Sequence, residues 1–278
     1  MIFYDGNRVY VSEELYYTVF RIKNRVILAP CKELKKKQRY MKRAINWTFP
    51  LKIDTLKSAQ IHTGKKWVLK MDIKDFYGSV PYEAIRYVIE KVSEEVKNVE
   101  VNRYLRYTTV ERKLPTGAPT SAHIANACFY PLDKRIGTYC RNFGINYSRY
   151  MDDMTFSCDD KMYLNMIEKY VTKVLDMAGF KLNPKKTKYI SSNRQQNVLG
   201  VVVNNETATI PKKLKRRIRA MLHSYYLFMH HSTSIGIKHR VWDAKKIAEL
   251  NGYLAYVKKM DPEYYLKLRK YYKDKIIV

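Results

Sequence analysis

Apolar residues along this chain follow two different periods, and the switches between them mark out its elements. "YTVFRIKNRVILAP" (17–30) holds two β-prone runs around Lys23-Asn24 and stops at Pro30, which predicts a short hairpin. "KELKKKQRYMKRAINW" (32–47) places Leu34, Gln38, Met41 and Ile45 on one helical face, with lysine or arginine nearly everywhere else. "KWVLKMD" (66–72) reads as a strand, and "VPYEAIRYVIEKVSEEV" (80–96) as a helix with Ile85, Val88, Ile89, Val92 and Val96 inward. Another helix opens after Pro119 and Thr120 through "SAHIANACFY", and Pro131 is expected to kink or end it.

Residues 146–158 read as strand, turn and strand. A helix follows with Leu164, Ile167, Val171, Val174 and Ala178 inward, stopped near Gly179. Two short strands, "TKYIS" and "VLGVVVN", precede a basic helical tail that begins at Pro211. Strands come in pairs with helices packed on them, without the regular alternation of a doubly wound sheet. The expectation is an α+β fold with an antiparallel sheet.

Charge sharpens this picture. The 278 residues carry 53 lysines and arginines against 26 acids, a net charge of +27. A compact chain with that imbalance repels itself, and a polyanionic partner relieves it; nucleic acid is the first candidate and a membrane surface the second. No apolar run approaches the ~20 residues of a membrane span, and "MIFYDGNRVYVSEELYY" lacks the layout of a signal peptide. No membrane partner is expected. Cys31, Cys128, Cys140 and Cys158 are scattered without a CxxC pair, which argues for reduced thiols in a cytoplasmic setting. The charges on 32–47 are either a solvated face or a phosphate contact, and the near absence of acidic partners favours phosphate.

Asp152 and Asp153 stand side by side at a turn tip, a common place for aspartate. Asp159-Asp160 shows the plain form of that pattern, placed to cap the helix that begins at 161. What sets Asp152 apart is a second acidic site. "VLKMDIKDFYGSV" ends an apolar strand on Asp72, with Asp75 three residues later. If the two strands are neighbours in one sheet, Asp72 and Asp152 project into one small volume. Carboxylate oxygens with substrate phosphates commonly hold Mg2+, and two such ions about 4 Å apart stabilise both the attacking and the leaving oxygen of a phosphoryl displacement. A basic chain, a phosphate partner and paired carboxylates point together to nucleotidyl transfer.

Taken in order, "MDIKDFYGSV", "LPTGAPTSAHIAN", "YMDD" and "NPKKTK" resemble the motifs of reverse transcriptases, and the resemblance runs from about residue 20 to about 265. The wording is most similar to the bacterial group that includes group II intron and retron enzymes. "SAQIHTGKKW" resembles the NAxxH segment of the retron type, with Ala59 and His62 kept and Ser58 in place of Asn. "VLGVVVN" resembles its VTG stretch, with Gly200 kept and Leu199 in place of Thr. "FPLKIDTLKSAQ" stands where the family has a longer fingers segment rich in Gly and Arg.

This resemblance implies a right-hand polymerase fold: fingers over 1–65, a catalytic palm with interspersed fingers elements over 66–205, and a basic helical thumb over 206–278. It implies Asp72, Asp152 and Asp153 as ligands of two Mg2+ ions, and Lys186 as a general acid near the departing pyrophosphate. Tyr77 falls where the family sets a ring against the sugar, leaving no room for a ribose hydroxyl; Asp75 and Phe76 resemble the floor of the nucleotide pocket. Lys23 and Arg25 match a basic hairpin that holds the triphosphate. Thr116 and Gly117 match a loop that approaches the incoming nucleotide, Thr116 standing where Gln is usual and Ala122 where Pro is usual. His62 is expected to position the hairpin or contact RNA, and Lys212, Lys213, Arg216, Arg217 and Arg219 to track a template–primer duplex.

The implied function is an RNA-directed DNA polymerase of the retron type. It would copy a dedicated structured non-coding RNA, both template and primer, from dNTPs into DNA, and serve anti-phage defence with a separate effector protein. Two alternatives stand beside it. One is another defence-associated or group II intron-like reverse transcriptase. The other is a catalytically idle RNA-binding scaffold, motivated by the changes at Ser58, Thr116 and Leu199.

Overall fold

The structure is a computed structural model that describes residues 3–23, 25–50, 54–96, 99–230 and 242–272. Asn24 of the hairpin and residues 51–53 of the shortened stretch lie outside the described residues, as do 231–241 and 273–278 of the basic tail. The first half of the chain forms β1 (Phe3–Asp5), β2 (Arg8–Tyr10), β3 (Tyr16–Ile22), β4 (Arg25–Pro30), α1 (Lys32–Thr48), α2 (Thr55–Gln60), β5 (Trp67–Lys74), α3 (Tyr82–Glu95), α4 (Val101–Thr108) and α5 (Ser121–Asn142). The second half forms β6 (Asn146–Tyr150), β7 (Asp153–Cys158), α6 (Lys161–Met177), β8 (Lys181–Leu182), β9 (Lys188–Ser191), β10 (Asn197–Val198), β11 (Val201–Val202), α7 (Lys212–His230), α8 (Ala244–Met260) and α9 (Pro262–Tyr271). Two compact units result: residues 1–53, 69–156 and 160–188, and residues 54–68, 157–159 and 189–278.

In the first unit the expected hairpin, β3–β4, is one half of a four-stranded antiparallel sheet ordered β1-β2-β3-β4. At three residues each, β1 and β2 are too short for a period to show in the sequence. Val9, Val11, Leu15 and Tyr17 pack with Leu34 of α1. That helix buries Leu34, Gln38, Met41, Ala44 and Ile45, which contains the predicted face. The Gln38 amide donates to the Tyr107 carbonyl at 2.7 Å and to the Tyr17 hydroxyl at 2.5 Å, sparing the roughly 1–3 kcal/mol that an unpaired buried donor costs.

A second sheet runs β6-β7-β5-β8, with β9 also paired to β5. Leu69, Met71, Asp72 and Ile73 of β5 are buried. The apolar stripes predicted for α3 (Ile85, Val88, Ile89, Val92) and α6 (Leu164, Ile167, Val171, Val174) are buried as well. Gly179, at φ +82°, stands just past the end of α6, and the Asp160 side chain caps its start by accepting from the Met162 amide at 2.8 Å. Pro131 does not end its helix, one of the two outcomes expected of it. α5 runs through it to Asn142, burying Ile136 and Cys140 beyond the proline and Ala127 and Phe129 before it. That packing outweighs the ~3 kcal/mol penalty of a mid-helix proline.

In the second unit, "VLGVVVN" is not one strand. Leu199 (φ +49°) and Gly200 (φ +91°) fold it into the tight hairpin β10–β11. Val198 and Val201 join a core with Ile218, Leu222, Leu250, Leu254, Val257 and Leu268 of α7, α8 and α9. Asp261 caps α9 through the Tyr264 amide and also accepts from the Ile210 amide and pairs with Lys215 at 3.0 Å. Burial alone would raise this carboxyl, but hydrogen bonds from Thr209, Lys215 and the two amides outweigh it and hold the group low. Among the described residues no helix is long and apolar enough to cross a membrane.

His62 is fully buried, with Nδ1 2.8 Å from the Ser157 hydroxyl, and burial pushes its imidazole down from 6.5 to about 3. The native form therefore keeps His62 neutral while the unfolded chain takes up a proton. Stability from this source is complete above pH 6.5 and is lost as pH falls toward 3. His62→Gln cannot titrate, so guanidinium denaturation of that variant should be flatter than wild type between pH 6.5 and 4.5, by on the order of 2 kcal/mol.

Candidate active site

Only Met151 and Asp152 separate β6 from β7, a connection open to antiparallel neighbours alone. Met151 takes φ +55°, the left-handed conformation that tight hairpins require and that a non-glycine residue adopts at roughly 1–3 kcal/mol. β7 lies beside β5, and the Ile73 amide donates to the Asp152 carbonyl at 3.0 Å. Asp72, adjacent to Ile73, is thus brought next to the Asp152–Asp153 turn. The main chain holds Asp72 from its other side too, where its carbonyl accepts from the Asn183 amide at 2.8 Å.

The electrostatics of this corner are lopsided. Burial raises the Asp152 carboxyl, and the charges of Asp72 and Asp153 push it the same way, with Lys186 opposing. Lys186 ends a 3-10 turn, Pro184–Lys186, and its Nζ lies 2.7 Å from Asp72 Oδ1. Three crowded carboxylates are hard oxygen donors of the kind Mg2+ takes. Among the described residues no three acidic, His or Cys side chains already converge as a metal cage. The residues fit the ion in donor chemistry and in uncompensated charge, with the Lys186 ammonium countering Asp72 in this arrangement.

Beneath the turn lies a support that the sequence did not disclose. Arg149, its side chain only 6% exposed, grips Asp133 with Nε at 2.9 Å and Nη2 at 2.5 Å. Its Nη1 donates to Asn126 at 2.7 Å and to the carbonyl of the strained Met151 at 2.8 Å. The guanidinium rests over the Phe129 ring, 4.3 Å from the centroid. Asn126, Phe129 and Asp133 follow α5 at spacings of three and four, so one helical face carries the whole bracket. That spacing of two polar residues around a buried phenylalanine was the available signal.

Of the nucleotide residues, Tyr77 is half-buried, and its phenol is raised first by burial and then by the charges of Asp152 and Tyr150. Phe76 stands directly before Tyr77 in the chain. It is buried, with its ring 5.7 Å from Phe129, 6.0 Å from Phe180 and 5.6 Å from Tyr77, so it supports Tyr77 from the core. Asp75 is exposed at φ +45°. Gly117 (φ +117°) lies so close to β4 that a Cβ would sit 2.9 Å from the Leu28 carbonyl oxygen, and the Leu28 amide donates to the Thr116 carbonyl at 2.8 Å. Lys23 and Arg25, both exposed, flank the tip of that hairpin three to five residues further out.

Of the two roles expected of His62, positioning the hairpin or contacting RNA, its full burial and its hydrogen bond to Ser157 leave no exposed edge for the second. Lys212, Lys213, Arg216 and Arg219 are exposed on α7. Arg217 is turned aside, with Nη2 2.6 Å from Glu249 and the guanidinium over Tyr253.

An antiparallel sheet packed on helices, with aspartates gathered at neighbouring strand ends, defines a right-hand polymerase fold. Consistent with it, the chain is similar to the foamy viral protease-reverse transcriptase dRH solved in complex with ds DNA, at TM-score 0.50 and 18% identity over 87% of this chain and 35% of that one, a likeness of fold alone. Residues 15–203 match the family "Reverse transcriptase (RNA-dependent DNA polymerase)". The Retron Mx65 reverse transcriptase of Myxococcus xanthus is 33% identical over 219 residues, 73% of this chain and 48% of that protein. The Retron Ec86 reverse transcriptase of Escherichia coli is 26% identical over 261 residues, 89% of this chain and 75% of that one. The chain belongs to the reverse transcriptase family, beside the bacterial retron-type enzymes. It spans about half the length of the Myxococcus relatives.

The Arg149 bracket has a measurable weight. Arg149→Met removes the cation paired with Asp133, which keeps only the Tyr147 hydroxyl at 2.7 Å, and leaves the Met151 carbonyl without its donor. Denaturant unfolding should show a loss on the order of 2–3 kcal/mol, below the 3–5 of a fully buried pair because Asp133 is partly exposed.

Proposed function

We propose that the chain is an RNA-directed DNA polymerase of the retron type, copying a dedicated structured non-coding RNA that is both template and primer into DNA. The observation that carries this is the placement of Asp72 beside the Asp152–Asp153 turn, with the Asp152 carboxyl raised by burial and by its neighbours' charge. Asp72, Asp152 and Asp153 would hold Mg2+, and two such ions supply Lewis-acid stabilisation of the attacking and leaving oxygens.

The chain's own residues supply the rest. The Tyr77 ring, rigid on Phe76, excludes a ribose 2′-hydroxyl and so selects dNTPs. Lys23 and Arg25 take the triphosphate, and the Thr116–Gly117 backbone approaches the nucleotide without a side chain in the way. Lys186 Nζ, already at Asp72, is placed to give its proton to the departing pyrophosphate. Lys212, Lys213, Arg216 and Arg219 neutralise phosphates of the template–primer duplex. In this reading residues 1–65 act as fingers, 66–205 as palm and 206–278 as thumb. The protein works in the cytosol, where its four free thiols stay reduced, and serves anti-phage defence with a separate effector protein.

Primer extension on RNA with dNTPs and Mg2+ tests the reading. Asp152→Asn/Asp153→Asn should lower the rate about a thousandfold or more, the several kcal/mol of metal stabilisation; an unchanged rate would remove the metal assignment. Extension absent from the wild type would leave a scaffold that holds RNA. Tyr77→Val should raise ribonucleotide incorporation relative to deoxyribonucleotide by at least about tenfold. Sequencing of nucleic acid copurified with the protein should yield DNA covalently joined to RNA.

A further inference from the structure

The charges of α1 point to phosphate, and its exposed rings point to bases. Tyr40 is 69% exposed and Trp47 is 77% exposed, although burying such rings is normally a large gain. Lys36, Tyr40, Arg43 and Trp47 follow one another at spacings of four, three and four residues, so they form a single stripe along the helix. All four are exposed. The opposite side, Leu34, Gln38, Met41, Ala44 and Ile45, is buried. Glu33 is the helix's single acid, against Lys32, Lys35, Lys36, Lys37, Arg39, Lys42 and Arg43. Among the described residues none of Lys36, Arg39 and Arg43 forms an ion pair.

We propose that this outer face of α1 binds a single-stranded polynucleotide, Tyr40 and Trp47 each stacking on a base while Lys36 and Arg43 meet the phosphates. Rings alternating with cations on one stripe suit a chain that itself alternates base and phosphate. A membrane-binding helix instead segregates its apolar face from its charged one, and here the apolar face is already spent in the core. A duplex offers no free base faces along its length, so the occupant is unpaired. Seven residues separate the rings, about 10 Å along the axis, or roughly three base rises of 3.4 Å. The footprint is therefore about five nucleotides. The inference rests on the nucleic-acid half of the proposed function and not on catalysis, since none of these residues belongs to the aspartate cluster.

Fluorescence anisotropy of the full chain with labelled oligo(U) and oligo(dT) of about 15 nucleotides, an RNA–DNA hybrid of equal length and inorganic polyphosphate as competitor tests it. Tyr40→Ala/Trp47→Ala should weaken single-strand binding at least about tenfold, with hybrid and polyphosphate binding held within about twofold. Tyr40→Phe/Trp47→Phe should restore it. Lys36→Gln/Arg43→Gln should reduce the slope of log affinity against log salt by about 1.4. The ratio of oligo(U) to oligo(dT) affinity assigns the strand as RNA or DNA, and either supports the site. Single-strand affinity unchanged in the double alanine variant, or polyphosphate affinity lost to the same extent, would overturn it. Wild-type protein that binds oligonucleotide but extends no primer leaves it standing while the polymerase reading fails.

Discussion

Negative charge gathered where two strands end is the constraint around which the first unit is arranged. Burial first, and then the charges of Asp72 and Asp153, make Asp152 hold its proton more tightly. Nothing in the side chains themselves favours this arrangement. Main-chain bonds impose it, through Ile73 to Asp152 on one side and Asn183 to Asp72 on the other. Arg149 then fixes the strained Met151 between them, and the Lys186 ammonium offsets part of the charge.

The two units handle a half-buried or buried aspartate in opposite ways. Asp261 collects a hydroxyl, an ammonium and two amides, and its carboxyl is held low. Such a group is finished: it ties α7, α9 and the segment at Thr209 and Ile210 into one core. Asp152 has burial and like charge around it, and is held high. The identical residue is satisfied in one setting and left with an offset only from its own amide and Lys186 in the other, so the two carboxyls shift in opposite directions.

Much of this was legible in the chain. α1, α3 and α6 each carry a stripe at helical spacing, and stripes survive folding because burying them is what the helix is for. The expectation that the strands bearing Asp72 and Asp152 are neighbours likewise matches the pairing of β5 with β7. What stayed hidden depends on tertiary context. β1 and β2 are shorter than any period, and Pro131 is outweighed by packing that sequence spacing alone does not weigh. Leu199 takes a conformation usually left to Asn or Gly, so its hairpin carried no turn signal. Phe76 and His62 lie within motifs beside exposed residues, yet both face inward, and inward or outward is a property of the neighbours. Arg149 sat on a strand one residue from a motif, and its partners Asn126 and Asp133 come from α5, distant in the chain, so only their spacing along that helix hinted at it.

The loop at Thr116 and Gly117 meets β4 through atoms that every amino acid shares. Leu28 bonds to the carbonyl of Thr116, and its own carbonyl abuts the bare α-carbon of Gly117. Such a seam is indifferent to what residue 116 carries outward. A change of side chain at 116 therefore swaps a functional group without unseating the loop, and variation can accumulate there while the scaffold stays put.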